Sequence, residues 1–136
     1  AQELRKGFHS SDRDFQQALQ RLEELRQEVD RFYDQYDLWI LPSMPGPAFE
    51  RTRMNWNFRV DGERVSYGTY NGTYHCTTAL MGTPGLALPI GFTNGLPLGV
   101  QVHSRAFSDF WLLKVAEQHL EPHAKIRWPS GFGPPS

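Results

Sequence analysis

Lys6, His9, Ser10 and Ser11 bring a lysine, a histidine and two adjacent serines together near the start of a chain of 136 residues. A serine hydroxyl is a weak nucleophile at its ordinary pKa. It needs a positioned base within hydrogen-bond reach and donors aimed at the developing oxyanion. No glycine-rich turn holds Ser10 and Ser11, which read instead as the start of a helix. His75 and Cys76 offer a base beside a thiol, but sequence neighbours on a helix point in different directions. His75, Cys76 and His103 lack the Cys-x-x-Cys or His-x-x-x-His spacing of a metal site. There is no Gly-x-Ser-x-Gly elbow, no phosphate-binding glycine loop and no paired-carboxylate signature. No residue is therefore assigned a catalytic role, and no metal or cofactor is expected.

Residues suited to binding are easier to find. Ser43 and Met44 open the segment Ser43-Met44-Pro45-Gly46-Pro47, which follows an apolar run stopped by Pro42. Loops leaving the ends of sheet strands often hold ligands, so this one is a candidate pocket wall or a connector stiffened by proline. Met54, Trp56 and Phe58 alternate with polar neighbours and would line a cleft or cover part of the core. Tyr67, Tyr70 and Tyr74 form one stripe of a helix-compatible segment, available for packing or, through their hydroxyls, for a ligand. From these the pocket candidates are Ser43, Met44, Trp56, Tyr70 and Tyr74.

The elements that must position them are legible from periodicity. Two apolar runs, Leu86 to Ile90 and Leu98 to Val102, flank Asn94-Gly95, a dipeptide that tolerates the positive φ angles of a tight turn. They predict a β-hairpin. Ser11 with Asp14 three residues on predicts a capped helix start. Phe15, Leu19, Leu22, Leu25, Val29, Phe32 and Tyr36 then recur every three or four residues, predicting one helix over about 12–35, roughly 36 Å long. Its other face, with Arg21, Glu23, Arg26, Asp30 and Arg31, reads as solvated. The continuous run Leu38-Trp39-Ile40-Leu41 suits a strand buried on both faces, inside a parallel or mixed sheet. Val60-Asp61-Gly62-Glu63 suggests a turn, and Tyr67 to Met81 a helix closed by Gly82-Thr83-Pro84. A last helix follows Ser108 and Asp109, presents Leu112, Val115, Ala116, His119 and Leu120, and stops at Pro122. Ala124 to Trp128 suits a short final strand.

The expected fold is α/β: a partial mixed sheet with a central buried strand and a C-terminal β-hairpin, flanked by helices. Residues 1–9 are expected to be a mobile leader, 10–121 the folded unit and 122–136 a largely irregular tail. A content of 39% hydrophobic and 13% aromatic residues is that of a globular chain. A net charge of -1 with no basic cluster sets nucleic acid and membrane surfaces aside as partners. The single cysteine, Cys76, fits a reducing compartment, and with no signal peptide or membrane span a cytoplasmic location is expected. The chain starts with Ala1, so it reads as processed or excerpted.

Three segments, in this order and spacing, resemble the C-terminal part of the amidase signature family of amide hydrolases. They are Tyr36 to Pro45, Leu80 to Gly91 and Gly95 to Val102. The most specific is the pair Leu-x-Gly-x-Pro-x-x-x-x-Pro-x-Gly and Gly-Leu-Pro-x-Gly-x-Gln, and the resemblance spans roughly residues 12–121. It implies an amide C–N hydrolase whose serine nucleophile is activated through a second serine in a cis peptide and a lysine. In the family those groups lie upstream, the serines in a Gly-Gly-Ser-Ser-Gly-like stretch that this sequence lacks. What the resemblance implies here is a structural portion, inactive alone, that meets a small amide substrate only in the full-length enzyme. The other readings are a non-catalytic binding module and a structural subunit that completes a sheet in another chain. Apolar faces cut from a larger sheet lead to an expectation of self-association or a disturbed fold.

Overall fold

The computed structural model describes residues 10–49, 57–128, 131 and 133. The expected leader 1–9, Trp56 and Met54 lie outside the described residues, as does nearly all of the tail beyond Trp128. Helix α1 (Asp12–Phe32) opens on the predicted cap. The Ser11 side chain accepts from the Asp14 N–H at 3.2 Å, and the Asp14 carboxylate accepts from the Ser11 N–H at 2.9 Å. The Ser11 hydroxyl, donating to that carboxylate at 2.7 Å, and then the Ser11 N–H hold the Asp14 carboxyl below the usual carboxylate range. The cap satisfies backbone donors that no preceding turn can reach. In a peptide spanning residues 10–36, Ser11→Ala is expected to lower helix stability by about 1 kcal/mol. Circular dichroism showing unchanged helicity would contradict this role.

The apolar stripe of α1 is only partly used. Val29 and Phe32 are half-buried, while Phe15 is 59% and Leu19 44% exposed. The face expected to be solvated takes part in tertiary structure at Arg26 and Asp30. Arg26 donates twice to the Leu80 carbonyl, and Arg105 spans Asp30 and Asp34. Those carboxylates raise the Arg105 pKa further, and the contact ties the helix's last turns to the loop after the sheet.

Strands β1 (Trp39–Pro42), β4 (Gly85–Thr93) and β5 (Leu96–His103) form an antiparallel sheet in the order β1-β5-β4. The helix-and-sheet architecture and the hairpin are as expected. The expected placement of Leu38 to Leu41 is not. Among the described residues β1 pairs with β5 alone and so lies at the sheet's edge, and the centre falls to the hairpin's second strand. Both strand pairs of this sheet among the described residues are antiparallel. Ile40, one of the run's apolar residues, is 56% exposed. A continuous apolar run registers that both faces favour apolar surroundings, and does not say which chain supplies them.

The β4–β5 turn has Asn94 at φ 50° and Gly95 at φ 80°. Positive φ at both central residues matches the twist of the strands it joins. A second hairpin, β2 (Asn57–Val60) and β3 (Glu63–Ser66), turns the same way at Asp61 and Gly62, with φ 50° and 84°. The sequence showed that turn but not its strands, whose short mixed runs carry no clear alternation.

Helix α2 (Tyr67–Met81) has the predicted bounds. The Ser66 side chain caps its start, and Gly82 at φ 70° ends it in the left-handed conformation. Helix α3 (Asp109–Val115) continues into a π-helical turn (Ala116–Leu120) and a short 3-10 turn (Glu121–His123) containing Pro122. Ser108 does not cap α3 with its side chain. Its hydroxyl bonds back to the Arg105 carbonyl and meets the Ser104 hydroxyl. Residues 124–128 form no strand. One backbone bond, from Lys125 N–H to the Pro89 carbonyl at 2.7 Å, holds them where a bulge interrupts the β4–β5 register.

Among the described residues the buried core is small: Tyr33, Tyr70, Met81, Val102 and Leu112, with Thr78, Gln101, His103 and Ser104 as buried polar groups. Many large apolar side chains stay open, including Ile90, Phe92, Leu96 and Trp111 on the hairpin side and α3. No described helix is long and apolar enough to cross a membrane.

Candidate functional site

Pro42 ends β1, and the chain turns away as a stiff loop whose first N–H, that of Ser43, donates to the Gly99 carbonyl at 3.1 Å. This bond lays the loop along β5 and opens a cleft of about 510 Å³ between the loop and the hairpin. Ser43, Met44, Gly46, Pro47, Ala48 and Phe49 form one side, and Ala87, Leu88, Pro89, Pro97, Leu98 and Gly99 the other. The lining is almost wholly apolar.

The predicted pocket residues divide clearly. Ser43 and Met44 line the cleft. Tyr70 does not: only 5% exposed, it packs behind the loop, edge-on to Phe49 with ring centroids 5.7 Å apart, and its hydroxyl donates to the Pro47 carbonyl at 3.3 Å. Gly46 gives that hydroxyl room, since a Cβ there would lie 2.9 Å from it. Tyr74, half-buried on the same helix, is not among the residues lining this cleft. Trp56 lies outside the described residues. The structure adds the hairpin wall, which the apolar pattern showed as strand without showing which side faces a cleft. It also adds His75, whose Nε2 lies 3.2 Å from the Met44 sulfur and supports the wall from α2.

The Ser43 hydroxyl is buried against Gly99, where a Cβ would lie 3.1 Å from it, and has no hydrogen-bond partner among the described residues. An activated serine would need a base bonded to it, and none of the described residues supplies one here. Nor do the described residues contain a cluster of three or more histidine, cysteine or carboxylate groups able to hold a metal. What the described residues give the cleft is a shaped, apolar surface.

Beside the cleft runs a buried polar chain. Gln101 donates from Nε2 to the Pro42 carbonyl at 3.0 Å, its Oε1 lies 2.9 Å from His103 Nε2, and His103 Nδ1 lies 3.4 Å from the Thr83 hydroxyl. Gln101 is 7% and His103 5% exposed. Burial pushes the His103 pKa below its ordinary 6.5, opposed by the Pro84 carbonyl, which favours the charged ring by accepting from it. A histidine that resists protonation in the folded state binds protons more readily when unfolded. Its contribution is therefore complete above pH 6.5 and lost as pH falls from 6.5 through the lower folded-state value. Unfolding free energy is expected to decline over that interval in the parent and to decline less in His103→Gln. Equal slopes in the two proteins would contradict this.

Sequence and structure comparisons agree. The family model described as Amidase matches residues 2–113. A glutamyl-tRNA(Gln) amidotransferase subunit from Methanosarcina barkeri is 30% identical over 125 residues, which is 90% of this chain and 24% of the relative. A crystal structure of an amidase superposes with a TM-score of 0.79 at 26% identity, covering 90% of this chain and 27% of the other. The crystal structure of a glutamyl-tRNA(Gln) amidotransferase subunit from Thermotoga maritima matches at 31% identity and a TM-score of 0.55, over 70% of this chain and 19% of its own. The chain thus spans about a quarter of the length of the curated relatives it matches.

Proposed function

This chain belongs to the amidase family, and from that premise we propose that it is the C-terminal structural portion of an enzyme that hydrolyses carbon–nitrogen bonds in amides. In that reading it contributes the β4–β5 hairpin, the helices around it and, through Ser43 and Met44, one wall of the pocket for a small amide substrate. The nucleophile, its base and the oxyanion donors come from polypeptide outside these 136 residues. The observation that carries the reading is the family match over residues 2–113 in a chain that spans only about a quarter of its relatives. The apolar wall and the absence of a base beside Ser43 among the described residues support the division of labour.

The test is complementation. The chain is combined with a polypeptide carrying a Gly-Gly-Ser-Ser-Gly-like stretch and the upstream part of the family fold, and hydrolysis of an aryl amide is followed. Turnover that requires both parts is the expected result. Soluble, associated parts with no turnover on a panel of aryl and alkyl amides count against it.

A second reading is a structural subunit that completes a sheet in another chain, without chemistry of its own. Open apolar residues on the sheet and α3, among them Ile40, Phe92 and Leu113, favour it, as they favour self-association of the chain when isolated. Tight binding in the same complementation experiment without turnover would select this reading.

A further inference from the structure

We propose that Thr83, His103 and Gln101 form a hydrogen-bonded positioning rail that sets the Pro42 carbonyl and, through it, the Ser43–Met44 wall of the cleft. The direction of each bond follows from what its partners can do. The Pro42 carbonyl only accepts, so the Gln101 amide must turn Nε2 toward it, at 3.0 Å. That leaves Oε1, another acceptor, facing His103 Nε2 at 2.9 Å, so Nε2 carries the ring proton. In the neutral ring Nδ1 is then an acceptor facing the Thr83 hydroxyl at 3.4 Å, so that hydroxyl, which also lies 3.5 Å from the Thr78 carbonyl, must turn its proton to the ring for Nδ1 to be satisfied. Each step fixes the next, from the end of α2 to the end of β1.

Two features indicate that the rail positions the wall and is more than packing. Pro42 and Ser43 adjoin, and the Ser43 N–H is anchored separately to Gly99, so the peptide between them is held from both sides. Moreover, Gly85 lies under the His103 ring, where a Cβ would come within 2.6 Å of Cε1 and 2.9 Å of Nδ1. The ring's path across β4 exists because that position carries no side chain. Gln101 and His103 are thus positioning residues that touch no substrate. That the wall they set serves an amide substrate rests on the function proposed above.

The rail is tested in the full natural polypeptide with 15N-labelled histidine and methyl-labelled methionine and leucine. The neutral His103 ring is expected as the Nε2–H tautomer with its proton slow to exchange. A ring protonated at Nδ1, or averaging between tautomers, overturns the proposal without any mutation. Gln101→Glu keeps an acceptor for His103 but gives Pro42 no donor. The Nε2 proton is expected to persist while the Met44 methyl signal moves and the Leu22 and Leu25 methyls of α1 hold still. An unmoved Met44 signal in that folded variant overturns the rail. If the polypeptide hydrolyses an aryl amide, Gln101→Glu is expected to raise KM about fivefold with kcat little changed, and a loss confined to kcat would count against a positioning role. Should no amide be hydrolysed, the functional reading fails while the tautomer and the Met44 signal still decide the rail.

Discussion

Purified alone, the 136-residue chain is expected to release no product from an aryl amide above the rate of buffer. Enzymes typically accelerate such reactions by about 10⁶-fold or more, and much of that comes from a nucleophile, its base and oxyanion donors acting as one unit. Losing the nucleophile or base of such a unit removes about as much rate as losing the whole triad, which is why no turnover is expected from a scaffold without them. Neither Ser11 nor Ser43 fills the gap. Ser11 spends its hydroxyl on the Asp14 N–H and the Asp14 carboxylate as a helix cap. Ser43 sits in the cleft with no base in reach among the described residues. The same preparation is expected to sediment as oligomers, because Ile40, Phe92, Trp111 and Leu113 stay open to water. Stoichiometric turnover by the chain alone would sink the proposal that its chemistry comes from elsewhere. A monodisperse, cooperatively unfolding monomer would sink the claim that its open faces await a partner.

How far the sequence reached depended on whether a feature is decided locally. The Ser11 cap, the Asn94-Gly95 turn, and the end of α2 at Gly82 are each fixed by a few neighbouring residues, and each stands where it was expected. The Leu38 to Leu41 run misled because burial is a property of the surroundings. The residues favour two apolar faces, yet the pairing that makes β1 an edge strand is set by β5, about sixty residues away. The tyrosine stripe left packing and ligand binding open for a related reason. Helical spacing placed Tyr70 and Tyr74 on one side of α2, but not whether that side faces a cleft or supports its wall. For the polar chain the signal was half present: strand alternation puts Gln101 and His103 on one face of β5, whereas Pro42 and Thr83 reach them only through the tertiary fold.

Gly85→Ala tests how tightly that polar chain is built, and its sign is informative. In an unobstructed strand, replacing glycine by alanine restricts the unfolded chain and stabilises by roughly 0.5–1 kcal/mol. At position 85 the new methyl would stand 2.6 Å from the His103 ring, well inside contact distance. A side chain at the surface would swing aside. His103 is only 5% exposed and is bonded at Nε2 to Gln101, so yielding means breaking that bond or shifting β4 against β5. The net result expected is destabilisation by about 3 kcal/mol, at the upper end for overpacking, because a buried hydrogen bond goes with the strain. His103→Ala is itself destabilising, since it strands the Gln101 oxygen, but it empties the space above residue 85. In that background Gly85→Ala is expected to be neutral or slightly stabilising, giving a coupling of about 3 kcal/mol between two positions paired in register across the hairpin. Urea unfolding of the full natural polypeptide, with and without the two single changes and the double change, measures it. Additive effects would mean that the ring is free to move and that the glycine is there for another reason.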